Sequence, residues 1–267
     1  MTKNYDVIVL VNFGVGNSEV REKSIDKLYS ELKAAFPQNR FELAYTSNMI
    51  RSNLKHEGIF VHSPKSVLDM LKAEGLQRVL LFPSHLIAGS EYHKIVREAY
   101  HYRQAFENIA VGKPLLSSTE DYKNLAKIIN DEYKVPKNEA LILMGHGSEH
   151  GMNAAYPALA YEFLTHYQNI FLATVEGYPA LSDAVALLRK YEDDQGSIQK
   201  ITLAPLLFVA GVHAHDDMAS KEDKLSWYSV LKNLGYNVKS KIQGLGEIPE
   251  VRSLYIEHLA QELSPRV

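Results

Sequence analysis

Short apolar runs alternate along the chain with stretches in which apolar positions recur every three or four residues. DVIVLVNFG (6–14) reads as a buried strand and 18–36 as a helix with one charged face. RFELAYTS (40–47) reads as a second strand. Residues 64–74 read as a helix entered through Ser63, and RVLLFPSHL (78–86) as a third strand. A helix over 92–107, a short apolar piece over 108–116 and a helix over 121–133 follow. The alternation then starts again. Strands are expected at 140–147, 169–177, 200–211 and 237–246, with helices at 154–167, 180–191, 224–234 and 250–263. Strands separated by helices require crossover connections, and these build parallel sheets. The fold class that follows is α/β.

The second round resembles the first. VLLFPSHLIAG (79–89) aligns with ITLAPLLFVAG (201–211), sharing Leu, Pro, Ala and Gly at the third, fifth, tenth and eleventh positions. IVLVNFG (8–14) aligns with LILMGHG (141–147), and ELAYTS (42–47) with FLATVE (171–176). The offsets are 122, 133 and 129 residues, close enough for one α/β unit used twice with altered loops. Two similar domains are therefore expected, each a parallel sheet flanked by helices, with a cleft between them. Residues 1–135 form the first, and Val135–Asn138 the junction. Residues 136–249 form the second, and a closing helix over 250–267 is free to pack back on the first.

Composition narrows the chemistry. With no cysteine, thiolate metal sites, iron–sulfur clusters and cysteine nucleophiles are excluded together, so any metal must rest on His, Asp or Glu. A net charge of -3 gives no basic face for nucleic acid. No apolar run reaches the length of a membrane span, and the start lacks the features of a signal peptide, so a cytoplasmic protein is expected. The glycines of VNFGVGN (11–17) match neither dinucleotide nor P-loop spacing.

Three metal-capable residues stand at equivalent strand ends in the second half: His146, Glu176 and His213. The alignment sets them against Phe13, Ser47 and Glu91 of the first half. The carboxyl edge of a parallel sheet is where ligands bind, and two imidazoles with a carboxylate suit a divalent transition ion with open positions. Taken singly, each has a plainer reading. His146 between Gly145 and Gly147 suits a turn, Glu176 suits a helix start, and His213 lies in a polar run, GVHAHDDM. Phe13, Tyr45 and Tyr92 stand where a flat ligand can stack, and Lys94 where an acidic one can be met.

The blocks MGHGSEH, VEGYP, PLLFVAGVHAHDDMA and GLGEIPEVR, with YTSNMIR, HLIAGSEYHKIVRE and KPLLSSTEDY before them, resemble the anaerobic sirohydrochlorin cobaltochelatase family. These are class II tetrapyrrole chelatases, related in fold to protohaem ferrochelatase. The resemblance covers nearly the whole chain, and NFGVGNS is its loosest block. It implies two α/β domains around a tetrapyrrole cleft and insertion of Co²⁺ into sirohydrochlorin in anaerobic cobalamin biosynthesis. It implies His146 as metal ligand and proton acceptor, Glu176 and His213 as the other metal ligands, and Glu91 as a catalytic carboxylate. The implied partners are sirohydrochlorin and the divalent ion, with no nucleic acid, no membrane and a homo-oligomer allowed. No tightly bound cofactor is needed, since Co²⁺ enters as a substrate. Fe²⁺ or Ni²⁺ suits the same donors, so a sirohydrochlorin ferrochelatase is the rival reading. A non-catalytic tetrapyrrole or metal carrier, and a metallohydrolase on the same His–Glu–His set, are the others.

Overall fold

The computed structural model describes residues 5–264. The chain divides into two compact units, a first made of the residues before 118 together with those from 246 onward, and a second over 118–245.

The first unit begins with β1 (Val7–Asn12), every residue of which is buried. β2 (Arg40–Tyr45), β3 (Arg78–Pro83) and β4 (Asn108–Val111) complete an all-parallel sheet in the order β2-β1-β3-β4. The continuous apolar run of β1 has this cause: a central parallel strand is covered on both faces and has no polar side to show. Val7, Val9, Val11, Val79 and Leu81 pack on Val67, Leu68, Leu71 and Ile95 from the flanking helices.

Those helices are α1 (Ser18–Lys23), α2 (Ile25–Ala35), α3 (Asn48–His56), α4 (Pro64–Ala73) and α5 (Ser90–His101). The single helix expected over 18–36 is broken at Ser24. This residue is wholly buried and its backbone departs from helical angles, at φ −118° and ψ −78°, while its N–H and its hydroxyl both still donate to the carbonyl of Val20. α3 is additional to the expected helices. Only Leu54 of its nine residues is buried, so it carries no apolar stripe to read.

The second unit opens with α6 (Thr119–Tyr133) and repeats the plan. β5 (Glu139–Gly145), β6 (Ile170–Thr174), β7 (Lys200–Pro205) and β8 (Val238–Ser240) form a parallel sheet in the order β6-β5-β7-β8. This is the first unit's order over again, which is the duplication that the aligned strand sequences imply. α7 (Ala155–His166), α8 (Leu181–Gln195) and α9 (Trp227–Asn233) flank it. The strand expected over 200–211 ends at Pro205; the Leu206 N–H makes one more bond to the Met144 carbonyl, at 2.8 Å, before the chain leaves the sheet. The strand region expected over 237–246 shrinks to three residues.

The sequence pattern sets the domain junction near residue 135. The compact units instead divide between Ser117 and Ser118, and α6 belongs to the second unit, where it packs on α7. The chain returns to the first unit at Gly246, rather than at 250, and ends in α10 (Pro249–Leu263). Arg252 of α10 donates to both carboxylate oxygens of Glu31 in α2, from Nε at 2.7 Å and Nη2 at 3.0 Å. The buried hydroxyl of Tyr255 donates to the Ser84 carbonyl at 2.9 Å. No helix among the described residues is long and apolar enough to cross a membrane.

Candidate metal and substrate site

β5 and β6 present His146 and Glu176 within two residues of their carboxyl ends, whereas His213, expected at a strand end, stands eight residues beyond the last residue of the neighbouring β7, because that strand stops at Pro205. The backbone continues the pairing of β5 and β6 beyond the strands, with Val175 N–H to Gly145 O at 3.0 Å and Glu176 N–H to His146 O at 2.8 Å. His146 and Glu176 are thereby held side by side, with His146 Nδ1 and Glu176 Oε2 3.9 Å apart. The His146 and His213 rings meet edge to face, 4.7 Å between centroids. The three side chains are 44, 61 and 38 % exposed, so an ion or a macrocycle has direct access to them.

Both glycines around His146 are required by space. A Cβ on Gly145 would lie 2.5 Å from the ring of buried Tyr156. A Cβ on Gly147, which sits at φ +84°, would lie 2.6 Å from the backbone of Glu176. The Gly-His-Gly run is therefore the device that lets the strand end close against its neighbour while the imidazole projects outward.

Both imidazoles are oriented through Nδ1. That of His146 lies 3.1 Å from the Gly147 carbonyl. A carbonyl only accepts, so Nδ1 carries the proton and Nε2 keeps a lone pair. His213 sits at the entry to a π-helical turn over Ala214–Met218, with Nδ1 2.7 Å from Asp217 Oδ2. The π-turn brings residue 217 back beneath residue 213, and this carboxylate fixes the same tautomer. Asp217 is a candidate site residue that the sequence reading did not single out; its place four residues after His213 is the signal that marks it. His150 is accounted for otherwise: its Nδ1 accepts the Met152 N–H at 3.1 Å and caps a short 3₁₀ turn.

Among the described residues, no three His, Asp or Glu side chains stand ready-closed around an ion. The His146–Glu176–His213 set is an open arc. Met152, Tyr178 and Val212 are exposed apolar residues on the loops beside it, and sequence reasoning missed them because single exposed apolar residues carry no periodic signal.

The remaining expected residues lie in the first unit. Glu91 occupies the first turn of α5, where it accepts from Thr46 Oγ1 at 3.2 Å and pairs with Lys94. Phe13 follows β1 and is 41 % exposed. Tyr92 is half-buried and donates to the Gly112 carbonyl at 3.3 Å. Tyr45 departs from expectation. It is wholly buried, its ring fills the space beneath Gly14, and burial drives its hydroxyl pKa upward. Tyr45 is thus a core residue with no face to stack on a ligand. His85, at the end of β3, has both ring nitrogens buried without a partner, and burial pushes its pKa down to about 4.

With this geometry in place, comparison with known proteins is decisive. The sequence pattern of the cobalt chelatase (CbiK) family matches residues 6–264. The chain belongs to the cobalt chelatase family. Sirohydrochlorin cobaltochelatase of Salmonella typhimurium is 34 % identical over 262 residues, covering 97 % of each chain. Sirohydrochlorin cobaltochelatase CbiKC of Nitratidesulfovibrio vulgaris is 28 % identical over 262 residues, covering 96 % of this chain and 90 % of its own. Among solved structures, SirB of Bacillus subtilis with Fe³⁺ superposes with a TM-score of 0.63 at 16 % identity, covering 97 % of this chain and 96 % of its own. The cobalt complex of a sirohydrochlorin chelatase SirB from Bacillus subtilis subspecies spizizenii gives a TM-score of 0.60 at 13 % identity, covering 97 % and 96 %. These last two establish a shared chelatase fold.

Proposed function

We propose that this member of the cobalt chelatase family inserts Co²⁺ into sirohydrochlorin, with His146, Glu176 and His213 handling the ion. The observation that carries the reading is the meeting of two Nδ1-anchored imidazoles and a carboxylate, two of them on neighbouring strand ends and His213 on the loop that follows β7. Two relatives bearing the name sirohydrochlorin cobaltochelatase support the substrate and the metal.

Metallation exchanges two pyrrole N–H protons for one divalent ion, so the site must release a metal and accept protons in one place. His213, braced by Asp217, and the exposed Glu176 carboxylate hold the incoming ion. An imidazole nitrogen cannot bind a metal and a proton at once. When the ion passes from His146 Nε2 to the ring nitrogens, that lone pair is freed and accepts one of the two displaced protons, and the Glu176 carboxylate, released from the ion at the same time, accepts the other and passes it to solvent. The open arc suits this use, because a closed cage would bind Co²⁺ too firmly to release it. Such donors rank divalent ions mainly by intrinsic affinity, so Fe²⁺ and Ni²⁺ compete with Co²⁺. Glu91 belongs to the same reading as a second catalytic carboxylate.

The test follows the visible spectrum of sirohydrochlorin mixed anaerobically with protein and Co²⁺, with Fe²⁺ and Ni²⁺ in parallel. Wild type converts the macrocycle well above the uncatalysed rate, and His146→Ala, His213→Ala and Glu91→Gln lose most of that acceleration. Tight macrocycle binding with no acceleration would leave a carrier and overturn the enzyme reading.

A further inference from the structure

The backbone pairing of β5 and β6 runs out at the bond from Glu176 N–H to the His146 carbonyl. Beyond it each chain enters a loop. An imidazole and a carboxylate at the roots of two independent loops would not keep a fixed spacing. The side-chain amide of Asn153 supplies the missing link. Its Oδ1 accepts the Ser148 N–H at 3.0 Å, and its Nδ2 donates to the Tyr178 carbonyl at 2.7 Å. Ser148 lies two residues after His146, and Tyr178 two after Glu176, so the amide joins equivalent places on the two chains. It offers one acceptor and one donor, the same pair that a further peptide group would offer. His146 and Glu176 thus stand between two ties, the strand ladder on one side and the amide on the other.

Asn153 is itself held in place. The Ser148 hydroxyl accepts the His150 N–H at 3.1 Å, and the His150 carbonyl accepts the Asn153 N–H at 2.8 Å. Residues 148–153 therefore close into one turn whose last member bonds back to its first. Gly177 shows the same contact from the other loop. A Cβ there would lie 2.6 Å from Asn153 Oδ1 and 3.1 Å from the Ser148 nitrogen. The Gly177 backbone is not in the left-handed region, so room for the amide, and not the path of the turn, calls for glycine.

We propose that Asn153 is a positioning residue for the metal donors: its amide, seated against Gly177, ties the His146 loop to the Glu176 loop and fixes the spacing at which imidazole and carboxylate meet Co²⁺. This role rests on the function proposed above. Donors already held at a working separation lose less freedom when the ion arrives, and the ion is bound more tightly for it.

The experiment uses the full chain with Co²⁺ alone, followed by titration and by the visible ligand-field bands of the bound ion, and then initial rates with sirohydrochlorin. The variants are Asn153→Ala, Gly177→Ala, the two together, Glu176→Gln, and Asn138→Ala. The last is a control that removes an amide bond to Gln199 at the other end of β5. Asn153→Ala weakens Co²⁺ binding and raises the KM for Co²⁺ roughly tenfold, and moves the bands of the bound ion towards those of Glu176→Gln. The KM for sirohydrochlorin holds, and Asn138→Ala behaves as wild type. Gly177→Ala acts like Asn153→Ala, by displacing the amide. The double variant is no worse than Gly177→Ala alone, because both changes break one contact, whereas independent effects would multiply to about a hundredfold. Loss of Co²⁺ binding in Glu176→Gln but not in Asn153→Ala, or a multiplied loss in the double variant, overturns the tie and leaves the chelatase reading intact. An equal loss of Co²⁺ and sirohydrochlorin binding in Asn153→Ala, with the bands unmoved, marks a general loosening of the second unit and also overturns it. Undiminished Co²⁺ binding in Glu176→Gln overturns the donor set, and the tie with it.

Discussion

Gly147 sits at φ +84° with the backbone of Glu176 where its Cβ would be. Gly147→Ala is expected to cost about 2 kcal/mol or more in unfolding free energy, through combined strain and collision, and to push Glu176 away from His146. Urea unfolding checks the first effect and Co²⁺ affinity the second. Asp217→Asn keeps the size of the side chain but loses the charge that holds His213 Nδ1–H at 2.7 Å. Such supporting partners contribute roughly 10- to 100-fold in metal affinity, so a loss of that order in Co²⁺ binding, with an unchanged melting temperature, is the expected result. His85 governs a pH effect. Its folded pKa of about 4 lies below its ordinary value of 6.5, because burial disfavours the imidazolium. Between these values the unfolded chain binds a proton that the folded chain refuses, so stability present above pH 6.5 is lost as pH falls towards 4. Over that window His85→Leu is expected to flatten stability against pH by an amount on the order of 2 kcal/mol, measured by urea unfolding at several pH values. At this scale the strand ends that carry His146 and Glu176 were legible, because an apolar run precedes each. Tyr45 misled because a residue at a strand's end can point either to the ligand or into the core. Its orientation is set by Gly14 and the helices above, which one residue's position does not reveal.

At the scale of elements, the ends of strands do most to build the site. β5, β6 and β7 lie side by side, and their loops differ in kind: a glycine-flanked turn after β5, a short loop closed by Thr174 and Pro179 after β6, and a π-turn after the segment that follows β7. Apolar runs located the strands because a parallel sheet buries both faces. Helix α3 and the break at Ser24 stayed hidden, the first for want of an apolar stripe and the second because the change of backbone angles at one buried serine leaves the apolar spacing unbroken. Helix α10 also carries an element-level prediction. The Arg252 side chain is 6 % exposed, and its guanidinium clamps the partly exposed Glu31. Arg252→Met removes the clamp but keeps the apolar stem. It is expected to destabilise the first unit by roughly 1–3 kcal/mol, part of the ion-pair loss being offset by rehydration of Glu31. Denaturant unfolding followed by a probe in the first unit checks this.

At the scale of the whole molecule, the same strand order occurs twice, and the chemistry is divided unevenly between the copies. The second carries His146, Glu176 and His213, and at the places aligned with them the first carries Phe13, Ser47 and Glu91. The aligned runs made the duplication legible in advance. The true division at Ser117–Ser118 was not, because α6 continues the alternating pattern without interruption, and only its packing on α7 assigns it to the second unit. The return of residues 246–263 to the first unit bears on how the protein is made. The second unit is one uninterrupted stretch of 128 residues, 118–245, whereas the first needs both ends of the sequence. At roughly 5–20 residues per second, a ribosome spends on the order of ten seconds between releasing Ser117 and starting α10. Throughout that interval the later-made unit can finish folding while the earlier-made sheet waits with its seat for Tyr255 uncovered. Nascent chains arrested just short of residue 246 should therefore be cut by protease within 1–117 and resist it within 118–245, an inversion of the usual order in which the part synthesised first is the part protected first.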